Sequence, residues 1–180
     1  LKSDLILRGD GSALTSLIFE GPGTASRCIG VIRWDSSQPT AYVAVTGGMS
    51  LGSTVLTVSS VSGYQVGDVI EIEEDNDPAW GLSEAWQLRL PGQINCVAAV
   101  DAAGRRLTLD RHLRHTFTAA RNPRLRRLDV LQNVGIESLF IRRKDAVVGY
   151  TIELKYAVRC WIAKVESYMT YKAHVWMERG

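Results

Sequence analysis

Short runs in which apolar and polar residues alternate recur along the chain, and no apolar stripe at helical spacing persists over ten residues. Leu139 and Ile141 fall on one side of such a run and Phe140 on the other, which is strand periodicity. Aligning Ile136–Ile141 with Ile162–Ser167 matches apolar with apolar at two of three inward positions, at an offset of 162 − 136 = 26. Ile152-Glu153-Leu154 aligns with Val175-Trp176-Met177 at 175 − 152 = 23. Two strand matches with nearly one period predict a coil of 23 to 26 residues. Repeats of that length bury an inner face only by stacking each turn on the next.

Four further short strands, Leu5-Ile6-Leu7, Leu17-Ile18-Phe19, Ile29–Ile32 and Tyr42–Val45, are separated by Gly9-Asp10-Gly11, Gly21-Pro22-Gly23 and Ser36–Pro39, which supply turn conformations. The texture changes after them. Thr54–Val58 and Gly63–Ile72 read as two strands about a Gly-bounded turn, and Gln93–Val100 with Arg106–Leu109 as a hairpin. The stretch from Asp75 to Pro91, with Trp80 and Trp86, has no period and predicts a long loop. The expected architecture is all-β: a parallel β-helix of few coils over residues 1–46 and 131–180, with a small all-β subdomain inserted at 47–130. Its expected inner residues are Leu5, Leu7, Leu17, Phe19, Val43, Val45, Ile136, Leu139, Ile141, Ile152, Leu154, Ile162, Val165, Val175 and Met177.

Composition narrows the function classes only a little. Of 180 residues, 46% are hydrophobic and 22% charged, and 21 Lys+Arg against 19 Asp+Glu leave +2, with no overall pull toward nucleic acid or anionic lipid. The longest apolar runs, such as Val97–Val100, fall far short of the roughly 18 residues of a membrane helix. Cys28, Cys96 and Cys160 are widely spaced, form no metal motif and read as small apolar residues. With no initiator Met or leader at Leu1, the chain reads as a piece of a longer polypeptide.

Candidate chemistry lies mostly in the C-terminal third. Glu153, Glu166 and Glu178 are carboxylates in the coil region, but the register sets Glu153 beside Trp176 and Glu166 beside Phe140, so no two share a ladder position. Arg142, Arg143, Lys144 and Lys164 could neutralise an acidic sugar or form a charged turn. His174, Trp176, Tyr171 and Tyr168 make the most binding-like cluster, because sugar C–H faces stack on aromatic rings. With Arg142 and Lys164 they form the candidate substrate-binding set. The acidic run Asp68, Glu71, Glu73, Glu74, Asp75 and Asp77 could attract calcium but lacks an EF-hand spacing, and alternation places Glu71 and Glu73 on the solvent face. No other cofactor is expected. Eight arginines between Arg105 and Arg127 could hold an acidic polysaccharide or pair with that acidic run; only Phe117 lies among them, too few aromatics for nucleic acid. His112 and His115 lack further metal ligands at useful spacing, and Arg8-Gly9-Asp10 reads as turn chemistry.

Leu5–Ser12, Gly63–Asp68, Asn133–Leu139 and Cys160–Ser167 resemble, in order, successive parts of right-handed parallel β-helix proteins of the pectate lyase-like superfamily. The resemblance implies a right-handed coil and the N-terminal part of a polysaccharide-acting or polysaccharide-binding protein, lyase or glycoside hydrolase, catalytically incomplete over this stretch. It also implies an extracellular or periplasmic setting. The alternative is a non-catalytic module such as a tailspike or adhesin segment. A polysaccharide or oligosaccharide is the expected partner, with neither nucleic acid nor membrane. A final coil at Val175-Trp176-Met177 exposes unpaired backbone groups and an apolar cross-section. Self-association through that coil is therefore expected, and Val175→Lys should weaken it. Sedimentation should show a concentration-dependent mass that falls to monomer in the variant; a concentration-independent monomer for the unmodified chain would refute it.

Overall fold

A computed structural model describes residues 1–20, 27–84, 87–144 and 148–179; the expected turn at Gly21-Pro22-Gly23 and Trp86 lie outside the described residues. The chain divides into two compact units, Leu1–Ser37 with Val130–Gly180, and Gln38–Asp129. Both are β-structures whose only helical pieces, among the described residues, are single 3-10 turns such as Asp35–Ser37 and Pro78–Trp80.

In the first unit every strand pairing is parallel. Strands β1 (Leu5–Arg8) and β2 (Ser16–Phe19) both lie against β11 (Val134–Arg143), which pairs on its other side with β14 (Trp161–Tyr168). A second sheet has β12 (Tyr150–Lys155) between β3 (Arg27–Ile32) and β15 (Ala173–Glu178). A short ladder joins β10 (Leu131–Gln132) to β13 (Ala157–Val158). The registers are the ones the sequence offsets specify: Ile136 faces Ile162 and Leu139 faces Val165, while Ile152 faces Val175 and Leu154 faces Met177.

Keeping one register across a parallel ladder stacks like side chains, so the inner positions merge into a core. Ile29, Ile136, Leu139, Ile141 and Ile152 are buried together, with Leu7, Leu17, Phe19, Ile162 and Val165 packed on them. Val31, Leu131, Val134, Leu154 and Ala157 form a second cluster, against which Cys160 packs. Two expected inner residues depart from this pattern, Val175 at 40% exposure and Met177 at 71%. An inner side chain is buried only between neighbours on both sides, and among the described residues β15 has a strand partner on one side alone.

The corners of the first unit repeat as faithfully as its strands. Non-glycine residues with positive φ recur at the ladder offsets: Asn133 (56°) and Arg159 (52°), where 159 − 133 = 26; Ser138 (53°) and Lys164 (53°), where 164 − 138 = 26; and Tyr156 (49°) and Arg179 (51°), where 179 − 156 = 23. Asp4 (58°) precedes β1 as Asn133 precedes β11, and the Asn133 amide donates to the Asp4 carboxylate at 2.8 Å. Each left-handed residue bends the chain locally, and an L side chain there costs about 1–2 kcal/mol. That cost is carried because the flanking strands fix the bend.

The second unit is a closed antiparallel barrel in the order β4-β5-β8-β7-β6-β9. Its strands are β4 (Val43–Gly47), β5 (Val55–Val58), β6 (Val69–Glu73), β7 (Gly92–Asp101), β8 (Arg106–Leu109) and β9 (Arg124–Arg127). Strand β4 is a correction. Expected among the N-terminal coils, it pairs instead with β5 and β9, so Val43 and Val45 pack with Leu56, Ile70, Leu107 and Leu125 inside the barrel. Alternation shows that a strand has a buried face but not which sheet it joins. The barrel's ends are tied: the Gln38 amide donates to the Asp129 carbonyl at 2.8 Å, and the Gln38 side-chain oxygen accepts from the Asp129 N–H at 3.0 Å.

The acidic run is the second correction. Glu71, Glu73 and Glu74 are 7%, 5% and 0% exposed rather than hydrated. Strand β9 lies beside β6 with Arg126 opposite Glu71 and Arg124 opposite Glu73, and these cross-strand pairs close at 2.9 and 2.6 Å. Tyr42 covers them, its ring centroid 3.8 Å from the Arg124 guanidinium and 5.2 Å from that of Arg126. Glu74 accepts from the Thr118 N–H, and Arg121 reaches Asp77 at 2.5 Å. The oxygens that might have attracted calcium are thus occupied by arginines and backbone donors, and among the described residues no three His, Cys, Asp or Glu side chains converge as metal ligands.

Two stability outcomes follow. Ser138→Val should destabilise the chain by about 1–2 kcal/mol in urea unfolding, because a β-branched residue tolerates positive φ poorly, whereas Ser138→Gly should cost far less. Glu71→Ala should cost about 3 kcal/mol by removing the carboxylate that Arg126 bonds at 2.9 Å in a part-buried site, and the double variant Glu71→Leu/Arg126→Leu should cost less than half of that. Equal losses for the single and double variants would show that the pair is not the source of the effect.

Candidate functional site

The outward side chains of the two larger sheets of the first unit carry its surface chemistry. On the β3–β12–β15 sheet, Glu153 sits between Gly30 and Trp176. The Arg27 guanidinium crosses Gly30 to bond Glu153; a Cβ added to Gly30 would stand 2.9 Å from the Arg27 chain. Arg27 also stacks over Trp34, 5.4 Å from its ring centroid. Trp176 is 41% exposed and lies nearly parallel to Tyr150, with centroids 5.0 Å apart and 12° between planes. Lys172 approaches the Tyr150 ring at 6.0 Å.

The six residues singled out in the sequence are therefore distributed over several contacts. Trp176 stacks on Tyr150, the His174 Nδ1 meets the Ser167 hydroxyl at 2.7 Å, and the Arg142 guanidinium lies 5.6 Å from the Tyr168 ring. Tyr171 is exposed and, among the described residues, has no ring, ionic or hydrogen-bonded partner. Lys164 is an exposed bend residue. Tyr150, which builds the Trp176 platform, escaped sequence reasoning because it sits on a neighbouring strand and contacts Trp176 diagonally.

The β1–β11–β14 sheet presents two adjacent outward rows, Ile6–Gly135–Trp161 and Arg8–Glu137–Ala163. The Trp161 indole lies across Gly135, where a Cβ would come within 2.6 Å of its ring carbons. Its N–H donates to one Glu137 oxygen, and Arg8 Nε donates to the other at 2.6 Å. The Trp161 hydrogen bond first, and then Arg8, hold the Glu137 carboxyl below its ordinary range, with Lys164 adding to the effect. Extending the 26-residue alignment by one position backward pairs Gly135 with Trp161, a signal legible in the sequence.

Four glutamates of this unit are each bonded to a donor of their own. Glu137 is held by Arg8 and Trp161, Glu153 by Arg27, Glu166 accepts from the Ser12 hydroxyl at 2.7 Å, and Glu178 meets Lys155 at 3.1 Å. A general acid requires a carboxyl raised above its usual range, and that of Glu137 is lowered. The described residues of the second unit include two open concavities among others. One, about 260 Å³, is lined by Asp75, Asp77, Leu82 and Arg89; the other, about 370 Å³, is lined by Tyr42, Asn122 and Arg124.

No family model and no curated protein matches the chain. Solved structures do. The tailspike gp61 of Pseudomonas phage phi297 superposes with a TM-score of 0.55 at 16% identity over 90% of this chain. The Gp54 tailspike of Acinetobacter baumannii bacteriophage AP22, solved with A. baumannii capsular saccharide, gives 0.53 at 11% identity over 98%. The tailspike protein gp49 from Pseudomonas phage LKA1 gives 0.52 at 15% over 88%. The chain spans 29%, 32% and 28% of the lengths of these three chains. In fold, the chain is similar to a segment of phage tailspike proteins.

Proposed function

We propose that the chain is a saccharide-recognition segment of a tailspike-like protein, in which the parallel ladders are early coils of a right-handed β-helix and the barrel is an inserted domain. The observation that carries this reading is the Trp176–Tyr150 pair, an aromatic surface on a parallel ladder in which Trp176 is left 41% exposed. Ring pairs of this kind stack on the C–H faces of pyranoses. The likeness to tailspikes, which are right-handed β-helix proteins, supports the coil assignment. The capsular saccharide bound by one of them supports the ligand class. Among the described residues no helix is long and apolar enough to cross a membrane, and the likeness favours an extracellular or virion-associated setting.

Recognition is favoured over cleavage by this segment because each candidate carboxylate is engaged by its own donor. In this reading His174 and Tyr171 accompany the platform, and Tyr168, Arg142 and Lys164, on β11 and β14, supply further contacts to hydroxyl and acidic groups. The edge of β15 is the surface through which copies, or further coils, would associate.

The test is binding of purified bacterial capsular polysaccharides and their oligosaccharides, measured by calorimetry. Trp176→Ala should weaken a bound glycan by about 1–3 kcal/mol while leaving the far-UV spectrum unchanged. Unaltered affinity in a folded Trp176→Ala variant would reject the platform.

A further inference from the structure

We infer that the Ile6, Arg8, Gly135, Glu137, Trp161 and Lys164 surface is a subsite for a carboxylate-bearing pyranose, separate from the Trp176 platform. The inference rests on the saccharide-recognition reading and specifies the sugar class.

Four observations converge on it. Trp161 is fixed rather than free: its indole lies across Gly135, and its N–H is bonded to Glu137. A stacking ring held in place loses little rotamer entropy when a ligand binds. Trp161 is nevertheless 38% exposed, and Ile6, on the other side of Gly135 in the same row, is 49% exposed. The pair therefore offers an apolar floor about two strand spacings wide, roughly 10 Å, the span of one to two sugar rings.

The charges beside that floor are unequal in availability. Glu137 spends both oxygens on Trp161 and Arg8, so the carboxylate is already satisfied. Arg8 engages it through Nε, its side chain is 62% exposed, and among the described residues it has no ionic partner other than Glu137. Lys164, on the bend following Trp161, is exposed and has no salt bridge among the described residues. Ala163 beside Glu137 adds no bulk above the row. Two cationic heads flank one exposed indole, with the local acid neutralised in advance. A neutral sugar would use the floor alone, whereas a uronic or other acidic sugar would use the floor and the guanidinium fork together.

The experiment compares tetragalacturonate with its fully methyl-esterified form, which keeps the ring faces and removes the charge. Calorimetry on the full chain should show binding of the acid form, at least tenfold weaker binding of the ester, and a marked salt dependence. Arg8→Gln and Trp161→Ala should each weaken the acid form at least tenfold. Trp161→Phe should recover most of the loss, and Lys164→Gln should weaken it a few-fold. The far-UV spectrum and urea midpoint of each variant distinguish lost contacts from lost fold. Equal binding of acid and ester, wild-type affinity in folded Arg8→Gln and Trp161→Ala, or no binding of the acid form overturns the subsite. If Trp176→Ala alone abolishes binding of a glycan, saccharide recognition stands and this subsite falls; if no capsular glycan binds and the acid tetramer is also ignored, both fall.

Discussion

Constancy of register between neighbouring coils is the constraint on which the first unit depends. A parallel ladder of strands only four to ten residues long has little intrinsic stability, and its inner side chains leave water only if each coil returns the chain to the same alignment. One residue of slippage would take Ile162 and Val165 off the inner ladder and set Ala163 opposite Ile136 and Glu166 opposite Leu139. The left-handed residues at Asn133 and Arg159, and at Ser138 and Lys164, recur at the same spacing as the strands. Bends and strands therefore enforce one repeat together. The outward surface inherits that repeat, which is why Trp161 finds Gly135 beneath it and Trp176 stands beside Glu153.

The barrel solves the opposite problem. Closure removes strand edges but leaves an outer face, and on β6 that face carries acids. Rather than being solvated, they are matched residue for residue by arginines of β9 and roofed by Tyr42. Such pairs gain little where solvent screens them, but Arg126 and Glu71, at about a tenth exposure, help specify which strand may sit beside β6. Charge here selects a neighbour, as the inner apolar residues cannot.

Much of the first unit was legible because its contacts repeat at fixed sequence offsets: Ile136 and Ile162 can be aligned by eye. The barrel was less so. Glu71 and Arg126 are 126 − 71 = 55 residues apart with no repeat to connect them, and alternation alone assigned Glu71 to solvent. Likewise Val43 and Val45 show the same pattern in a coil or in a barrel. The surface residues divide in the same way. Trp176 is readable as outward from its ladder position, while its partner Tyr150 depends on side-chain direction, which spacing does not encode.

The reciprocal hydrogen bonds between Gln38 and Asp129 bear on how such a chain reaches its fold. Strands β1 and β11 are paired although 134 − 5 = 129 residues separate Leu5 from Val134, against 26 for the next coil. If the intervening chain were unstructured, closing that longer loop would cost about 1.4 kcal/mol more than closing an ordinary coil. With the barrel already folded and its two ends clasped by one amide side chain, the insert counts as a short connection instead. A folded barrel thus lowers the cost of seating the first coil on the second, because it holds residues 38 and 129 together.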